Sequence, residues 1–235
     1  MKQNKSVKII DLGHKSYSES LAIQEHYFNE IINLKRSNRK TERPIPTENY
    51  LLWVEHPPVF TLGKSGKIKH LLLEQKALEQ KGIEFYQTNR GGDITFHGPG
   101  QLVVYPILDL DNFFTDIHKY LRFLEEAVIG TLKEYGLKAT RSPGETGVWL
   151  DVGTPFARKI CAMGVRASRW VTMHGLALNL NTDLGYFDHI VPCGIIGKGV
   201  TSLAKELGKE IDVERVKEKF KIHFENLFKS RWIEG

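Results

Sequence analysis

The succession of strand-like segments constrains the fold of this chain most strongly. Apolar runs at residues 50–55 and 59–62 are separated only by His56-Pro57-Pro58, and a pair of prolines cannot continue a strand ladder. Further strand-like runs cover residues 7–12, 83–88, 101–108, 147–150, 159–165 and 171–180. Because strands and helices do not alternate regularly, the pattern predicts an α+β fold in which a mixed sheet packs against helices, rather than a doubly wound parallel sheet.

Amphipathic periodicity predicts where the helices lie. They are expected at residues 16–32, 71–81, 116–135, 203–207 and 213–230. Ser16 or Ser18 is expected to cap the first helix and Thr201 the fourth, since hydroxyl side chains satisfy free amides at helix starts. Residues 35–47 contain charges and two prolines without an apolar period, which predicts a surface loop.

The length and composition indicate one domain. The chain has 235 residues, 41% of them hydrophobic, which is enough for one sizeable core, so residues 1–235 are expected to form a single domain. No stretch resembles a signal peptide or reaches the roughly 18 apolar residues of a membrane span. The two cysteines, Cys161 and Cys193, lack the spacing of a disulfide framework or a zinc site. We therefore expect a cytoplasmic protein with no membrane partner and no metal.

The charge is moderately basic. The 33 Lys and Arg residues exceed the 28 Asp and Glu residues, for a net charge of +5, and one positive cluster comprises Lys64, Lys67 and Lys69. Such clusters attract acidic partners, although an ordinary solvated surface has the same composition. No stripe of alternating basic and aromatic residues is present, so a nucleic-acid partner is not expected.

Residues 90–101, RGGDITFHGPGQ, form the most informative segment. Five of these twelve residues are Gly or Pro, so the backbone can approach a ligand closely, while Arg90, Thr95, His97 and Gln101 supply polar groups. The segment is typical of a binding loop around a short strand, and a plain glycine-rich turn has the same composition. Neither a Walker A loop nor GxGxxG is present.

A longer set of motifs resembles a known family. The run RGGDITFHGPGQLVVYP resembles, nearly position by position, the signature of lipoyl(octanoyl) transferases, and KICAMGVR, HGLALNLNTDL, VPCGI and GVTSLAKELG follow in that family's order. The resemblance implies the fold of biotin and lipoate protein ligases and no cofactor. It also implies transfer of an octanoyl group from octanoyl-acyl carrier protein to a lysine of lipoyl domains, those of 2-oxo acid dehydrogenase complexes and the glycine cleavage H protein.

The resemblance also implies the site residues. The cysteine of the PCGI motif, Cys193, would carry the acyl group, and Lys159 would tune its reactivity. The implied substrate contacts are Arg90, Gly91, Gly92, Asp93, Ile94, Thr95, Phe96, His97, Ala162, Met163, Gly164, Gly175, Leu176 and Ala177.

The residue patterns agree with these roles but leave the choice of thiol open. Cys193 lies between proline and glycine, which predicts a loop where a thiol is accessible to a substrate, whereas free cysteines are commonly buried. Strand alternation places Cys161 on the same face as Lys159 and Met163. Periodicity therefore does not choose between the two thiols, and the resemblance favours Cys193.

Lys159 begins an otherwise apolar strand, where an unpaired ammonium is costly to bury. Beside a thiol it would favour the thiolate or exchange a proton, and alternatively its side chain extends to solvent. His97 and His174 are either pocket contacts or structural hydrogen-bonding residues. An ATP-dependent lipoate-protein ligase and a non-catalytic binding module for acyl groups or carrier proteins are the alternative functions.

Overall fold

The computed structural model describes residues 3–191 and 199–234. The strands are β1 (Ser6–His14), β2 (Tyr50–Glu55), β3 (Val59–Leu62), β4 (Glu84–Gln87), β5 (Ile94–His97), β6 (Gln101–Ile107), β7 (Thr140–Ser142), β8 (Glu145–Leu150), β9 (Arg158–Ser168), β10 (Val171–Asn179), β11 (Gly199–Val200) and β12 (Arg231–Glu234). The helices are α1 (Tyr17–Asn38), α2 (Gln75–Gln80), α3 (Ile117–Lys133), α4 (Leu203–Leu207) and α5 (Val213–Phe228).

A large mixed sheet organises the molecule. Its strand order is β12-β1-β2-β6-β10-β9-β8-β7, and β11 adds to β9 as a parallel partner. The pairs of β1 with β2 and β12 are parallel, while β2, β6, β10, β9 and β8 pair antiparallel in succession. The predicted α+β fold with a mixed sheet packed against helices is confirmed.

Helices cover both faces of the large sheet, and each packs its apolar side chains against the apolar side chains of one face. Leu102, Leu176 and Leu178 pack into a core that also contains buried residues of α3 and α5. Val103 and Ala177, their neighbours in sequence, point the opposite way and join a core with Phe28 of α1. This alternation follows from the two-residue period of a strand.

A small second sheet stands beside the large one. Its order is β4-β3-β5, with β3 parallel to β4 and antiparallel to β5. Phe60 and Phe96 of this sheet pack with Phe187 in a third core. Because the segments before and after β5 hold the glycines of residues 90–101, this sheet positions the glycine-rich segment.

The first helix begins where it was predicted but ends later. Ser16, one of the two serines predicted as its cap, caps α1, with a capping box formed by Glu19. The helix then continues to Asn38, so the loop predicted at 35–47 begins later than expected. The last turn shows no apolar period because its inward side chains are polar: Lys35 pairs with Asp109 and with Asp111, the latter at 2.8 Å.

Two further predictions were wrong in detail. The helix expected at residues 71–81 covers only Gln75–Gln80, because Leu71 forms an isolated β-bridge with Ile190. The N-cap of α4 is Ser202 and not Thr201; the Ser202 hydroxyl accepts from the amide of Lys205.

Among the residues described, no helix combines the length and apolar character needed to cross a bilayer.

Candidate active site

A cavity of about 460 Å³ opens over the large sheet, beneath the glycine-rich segment. Ala162, Ala177 and Val103 lie side by side on β9, β10 and β6 and form part of its floor. Small side chains in this row leave space above the sheet. The cavity is therefore a product of strand register, since neighbouring strands place their small residues opposite one another.

The glycine-rich segment is tied to the floor by a close backbone contact. The amide of Gly91 donates to the carbonyl of Val165 at 2.9 Å. A Cβ atom at Gly164 would lie 2.5 Å from the carbonyl oxygen of Gly91. Any residue other than glycine would therefore clash with that oxygen. Gly164 of the KICAMGVR motif is thus required for the segment to lie so near β9.

Arg90 holds the start of this segment against the small sheet. Its Nη2 donates to the carbonyl and the hydroxyl of Thr61, at 2.6 and 2.9 Å, and its Nη1 donates to the carbonyl of Gly91 at 3.0 Å. Arg90 is buried yet lines the cavity. A fixed guanidinium on the wall provides a permanent positive charge beside any bound substrate.

His97 is oriented by a directed chain of hydrogen bonds. Gln101 Nε2 donates to the Phe96 carbonyl at 3.1 Å and to Asn179 Oδ1 at 2.9 Å. Gln101 Oε1 must then accept from His97 Nδ1, 2.8 Å away. The proton of the neutral ring is therefore on Nδ1, and Nε2 is an acceptor that lies 3.4 Å from the hydroxyl of Thr61.

The same chain of hydrogen bonds continues to the strand of Lys159. Asn179 Nδ2 donates to the carbonyl of Thr201 at 3.0 Å, and the amide of Thr201 donates to the carbonyl of Lys159 at 2.9 Å. These groups are buried, so losing any one of them would leave a partner unsatisfied. The chain links the glycine-rich segment rigidly to β9.

Three buried histidines near the cavity are held neutral. Burial lowers the pKa of His97 and of His174 to about 3, and that of His56 to about 4. His174 also takes a left-handed backbone conformation, with φ of 57°. Both His97 and His174 line the cavity, so each is at once a structural residue and a cavity wall, and neither is charged near neutral pH.

These histidines predict a loss of stability in mild acid. In the unfolded chain these histidines have a pKa of about 6.5. Between pH 6.5 and the lowered pKa values the unfolded chain therefore binds more protons than the folded protein. The free energy of unfolding is then highest above pH 6.5 and falls as the pH drops below it. Each histidine should contribute a slope of up to about 1.4 kcal/mol per pH unit. Urea unfolding between pH 7 and 5 measures this slope, and His97→Gln should reduce it by one histidine's share. An unchanged slope in that variant would contradict the assignment.

Lys159 lies at the cavity with its side chain confined on two sides. The residue is 7% exposed, and its Nζ stands 4.7 Å from the centre of the Trp149 ring. Gly147, with φ of 121°, lies alongside, and a Cβ there would come within 3.5 Å of the lysine Cε. Packing against the face of the Trp149 ring therefore fixes the position of the Lys159 ammonium.

The expectation that Cys161 shares a face with Lys159 is wrong. Val148 pairs with Cys161 but Trp149 pairs with Lys159, so β9 carries one extra residue, and this bulge breaks the alternation. Cys161 is fully buried in the core beneath the sheet. Burial raises the pKa of its thiol well above the usual range, which argues against it as a nucleophile.

Cys193 lies outside the described residues, in the segment 192–198, and the described residues that flank this segment are Val191 and Gly199. The amide of Val191 donates to the carbonyl of His70 at 2.8 Å. After the undescribed segment, Gly199 pairs with Arg158 and Val200 with Lys159, as strand β11. Strand β11 therefore lies directly beside Lys159.

The structure brings most of the implied site residues to one cavity. These are Lys159 and Arg90, Gly91, Gly92, Asp93, Ile94, Thr95, His97, Ala162, Met163, Gly164, Gly175, Leu176 and Ala177. Phe96 is not among the lining residues, because its side chain alternates away into the third core and stacks on Tyr186 at 4.4 Å.

Other lining residues were missed from the sequence. They are Tyr17, Val103, Tyr105, Ile117, Leu121, Gly144, Glu145, Thr146 and Val165. Val103 and Tyr105 lie within the RGGDITFHGPGQLVVYP run, on the strand face of Gln101, so alternation contained a signal for them. Tyr17 is the first residue of α1 and Ile117 the first residue of α3. No local sequence pattern indicates that the first residue of a helix lines a cavity.

Comparison with known proteins identifies this chain as an acyltransferase. Residues 16–225 match the family described as the lipoyl protein ligase A/B catalytic domain. The octanoyltransferase of Christiangramia forsetii is 68% identical over 228 residues, covering 97% of each chain, and that of Flavobacterium johnsoniae is 65% identical, covering 97% of this chain and 98% of its own. The chain therefore belongs to the octanoyltransferases of the lipoyl protein ligase A/B family.

A solved structure supports the fold independently. The bipartite lipoate protein ligase system of Thermoplasma acidophilum superposes with a TM-score of 0.69 at 16% identity, covering 100% of this chain and 87% of that one. At such low identity the likeness concerns the fold alone, and it confirms the expected lipoate-ligase-like architecture.

Proposed function

We propose that this octanoyltransferase takes its acyl group from octanoyl-acyl carrier protein and delivers it to a lysine of lipoyl domains, through a thioester on Cys193. The acceptors would be the lipoyl domains of 2-oxo acid dehydrogenase complexes and the glycine cleavage H protein. Residues 1–235 would form a single catalytic domain working in the cytoplasm, where a catalytic thiol stays reduced.

The observation that carries this proposal is the position of Lys159. It is a buried lysine at the cavity, and β11, which follows the Cys193 segment, pairs with it directly. A cation beside a thiol favours the nucleophilic thiolate. The other cysteine, Cys161, is enclosed in the core, which supports Cys193 as the nucleophile.

The proposed transfer has two half-reactions. The Cys193 thiolate attacks the carbonyl carbon of the donor thioester, the carbon–sulfur bond to the phosphopantetheine breaks, and that thiol leaves with a proton from Lys159. The acceptor amine then attacks the enzyme thioester, Lys159 takes the amine proton, and Cys193 is released as an amide forms. Exchange of one thioester for another is nearly isoenergetic, so the acyl group remains activated until the amine arrives.

The floor and walls of the cavity suit an acyl chain. Ala162, Ala177 and Val103 offer an apolar row, and His97 and His174 are held neutral by burial. An octanoyl chain would lie on this row, with its carbonyl towards Lys159. Positioning by rigid strands of this kind keeps the reacting carbon at one place.

The deciding experiment is a transfer assay without ATP. The protein, octanoyl-acyl carrier protein and a lipoyl domain should yield octanoylated domain, and the protein alone with the donor should gain the mass of one octanoyl group. A ligase would instead require ATP and a free acid. A binding module would retain the donor without any gain in its own mass.

A further inference from the structure

A surface loop beside the cavity combines basic and apolar side chains. In this basic loop, residues 63–72, the side chains of Lys64, Lys67 and Lys69 are exposed. Ile68 is 58% exposed and Leu72 57% exposed. They are two of the six large apolar side chains found exposed within the described part of the chain, and exposed apolar side chains close together are typical of a protein contact surface.

One end of the basic loop contacts residues 90–93, which line the cavity and form what we call its lip. The amide of Lys64 donates to the carbonyl of Arg90 at 2.9 Å, and that of Ser65 to the carbonyl of Gly92 at 3.3 Å. The Asp93 carboxylate, a cavity residue, accepts from the amide of Lys67 at 3.3 Å and contacts His70 at 2.5 Å. The backbone at Lys64 and Lys67 is therefore held at a fixed place beside the opening.

The other end contacts the segment that leads to Cys193. Leu71 bridges to Ile190, the amide of Leu72 donates to the carbonyl of His189 at 2.9 Å, and Val191 donates to His70. Val191 precedes Cys193 by two residues. The basic loop thus lies between the lip of the cavity and the approach to the proposed nucleophile.

The charge of the loop is strongly one-sided. Residues 63–72 contain three lysines and no acidic residue. Asp93, the acidic group inside the lip, is engaged by His70, and the exposed carboxylates of Glu74 and Asp188 flank the loop on the side of Leu72. A surface of this sign accelerates encounter with a negatively charged partner.

We propose that the basic loop is the docking surface for the acidic acyl donor protein, which holds its octanoyl thioester over the cavity lip. This inference rests on the proposed function. The exposed Ile68 and Leu72 favour a protein over a small anion, which would leave them uncovered. The donor fits better than the acceptor because its thioester is carried on a phosphopantetheine arm, whose phosphodiester adds a negative charge that the lysines would attract.

The test compares a protein-borne donor with a small one. For the Lys64→Gln, Lys67→Gln, Lys69→Gln triple variant, kcat/KM for acyl-enzyme formation from octanoyl-acyl carrier protein should fall about tenfold at low salt. The rate with octanoyl-pantetheine should stay within about twofold, since no long-range charge is involved. The difference should vanish towards 1 M salt, where the Debye length is about 3 Å.

A second variant tests the apolar part of the surface. Ile68→Ser with Leu72→Ser should also slow the reaction with octanoyl-acyl carrier protein, and this loss should persist at high salt, because salt does not screen apolar contacts. The matched control is Lys40→Gln with Lys133→Gln and Lys138→Gln. Lys133 ends α3 and Lys40 follows α1, and both are exposed. They lie about 18 Å along α3 from Leu121 and about 35 Å along α1 from Tyr17, the lining residues of those helices.

The control triple variant should match the unmodified protein with both donors. Equal losses with the carrier protein and the pantetheine ester in the loop variant would overturn the proposal, since the loop would then shape the cavity. A loss confined to transfer onto the lipoyl domain would also overturn it, by assigning the surface to the acceptor. Failure of the unmodified protein to react even with octanoyl-pantetheine would refute the thioester function itself, and the docking proposal with it.

Discussion

Replacing Cys193 with alanine is expected to abolish octanoyl transfer and to remove the acyl-enzyme. Without a thiol there is no atom to hold the octanoyl group between donor and acceptor, so the rate should fall by more than about 10³-fold. Intact mass after exposure to octanoyl-acyl carrier protein measures the adduct directly. Thermal unfolding of the variant should match that of the unmodified protein, because a thiol between proline and glycine is expected to contribute little to the core.

The matched control for this prediction is Cys161→Ala. Cys161 is fully buried in the core, so its loss should lower the free energy of unfolding by about 1 kcal/mol. The acyl-enzyme should still form at the normal rate. An octanoyl group located on Cys161 by peptide mapping would contradict the assignment.

Replacing Lys159 with alanine should slow both half-reactions by about 10² to 10⁴-fold, the range for losing a group that transfers protons. The lysine Nζ stands over the Trp149 ring at the cavity, where its charge would stabilise the thiolate of Cys193. Alkylation of Cys193 by iodoacetamide should therefore shift to higher pH in the variant. Single-turnover rates for each half-reaction provide the second measurement.

Lys35→Ala is the matched control for this lysine. Lys35 is also largely buried, but it pairs with Asp109 and Asp111 near the end of α1 remote from the cavity. Its loss should reduce stability while both half-reactions keep their rates. An alkylation profile that is the same with and without Lys159 would show that the lysine has no electrostatic effect on the thiol.

Much of the local structure was predictable from the sequence. The strands at 50–55 and 59–62 are found with the predicted limits, because a proline pair separates two apolar runs. The helices α3 and α5 match their amphipathic periods closely. Such elements are encoded by neighbouring residues, so no knowledge of distant contacts is needed.

Predictions failed where a distant contact overrides the local pattern. The apolar Leu71 suggested a helix, yet its bridge to Ile190 holds it extended. Lys35 suggested a surface loop, yet Asp109 provides a buried partner for it. The bulge in β9 likewise depends on the pairing with β8, and it decides which way Cys161 points.

The site divides in the same way. The sequence by itself determined the glycine-rich segment, the small residues of β9 and β10 and the lysine at 159, since the motifs that carry the family resemblance are contiguous in the chain. Only the tertiary structure placed Tyr17, Ile117 and Thr146 on the cavity wall and the basic loop at its lip. These residues are far apart in sequence, and they meet because sheet order and helix packing bring the starts of α1 and α3 to one opening, which no local pattern encodes.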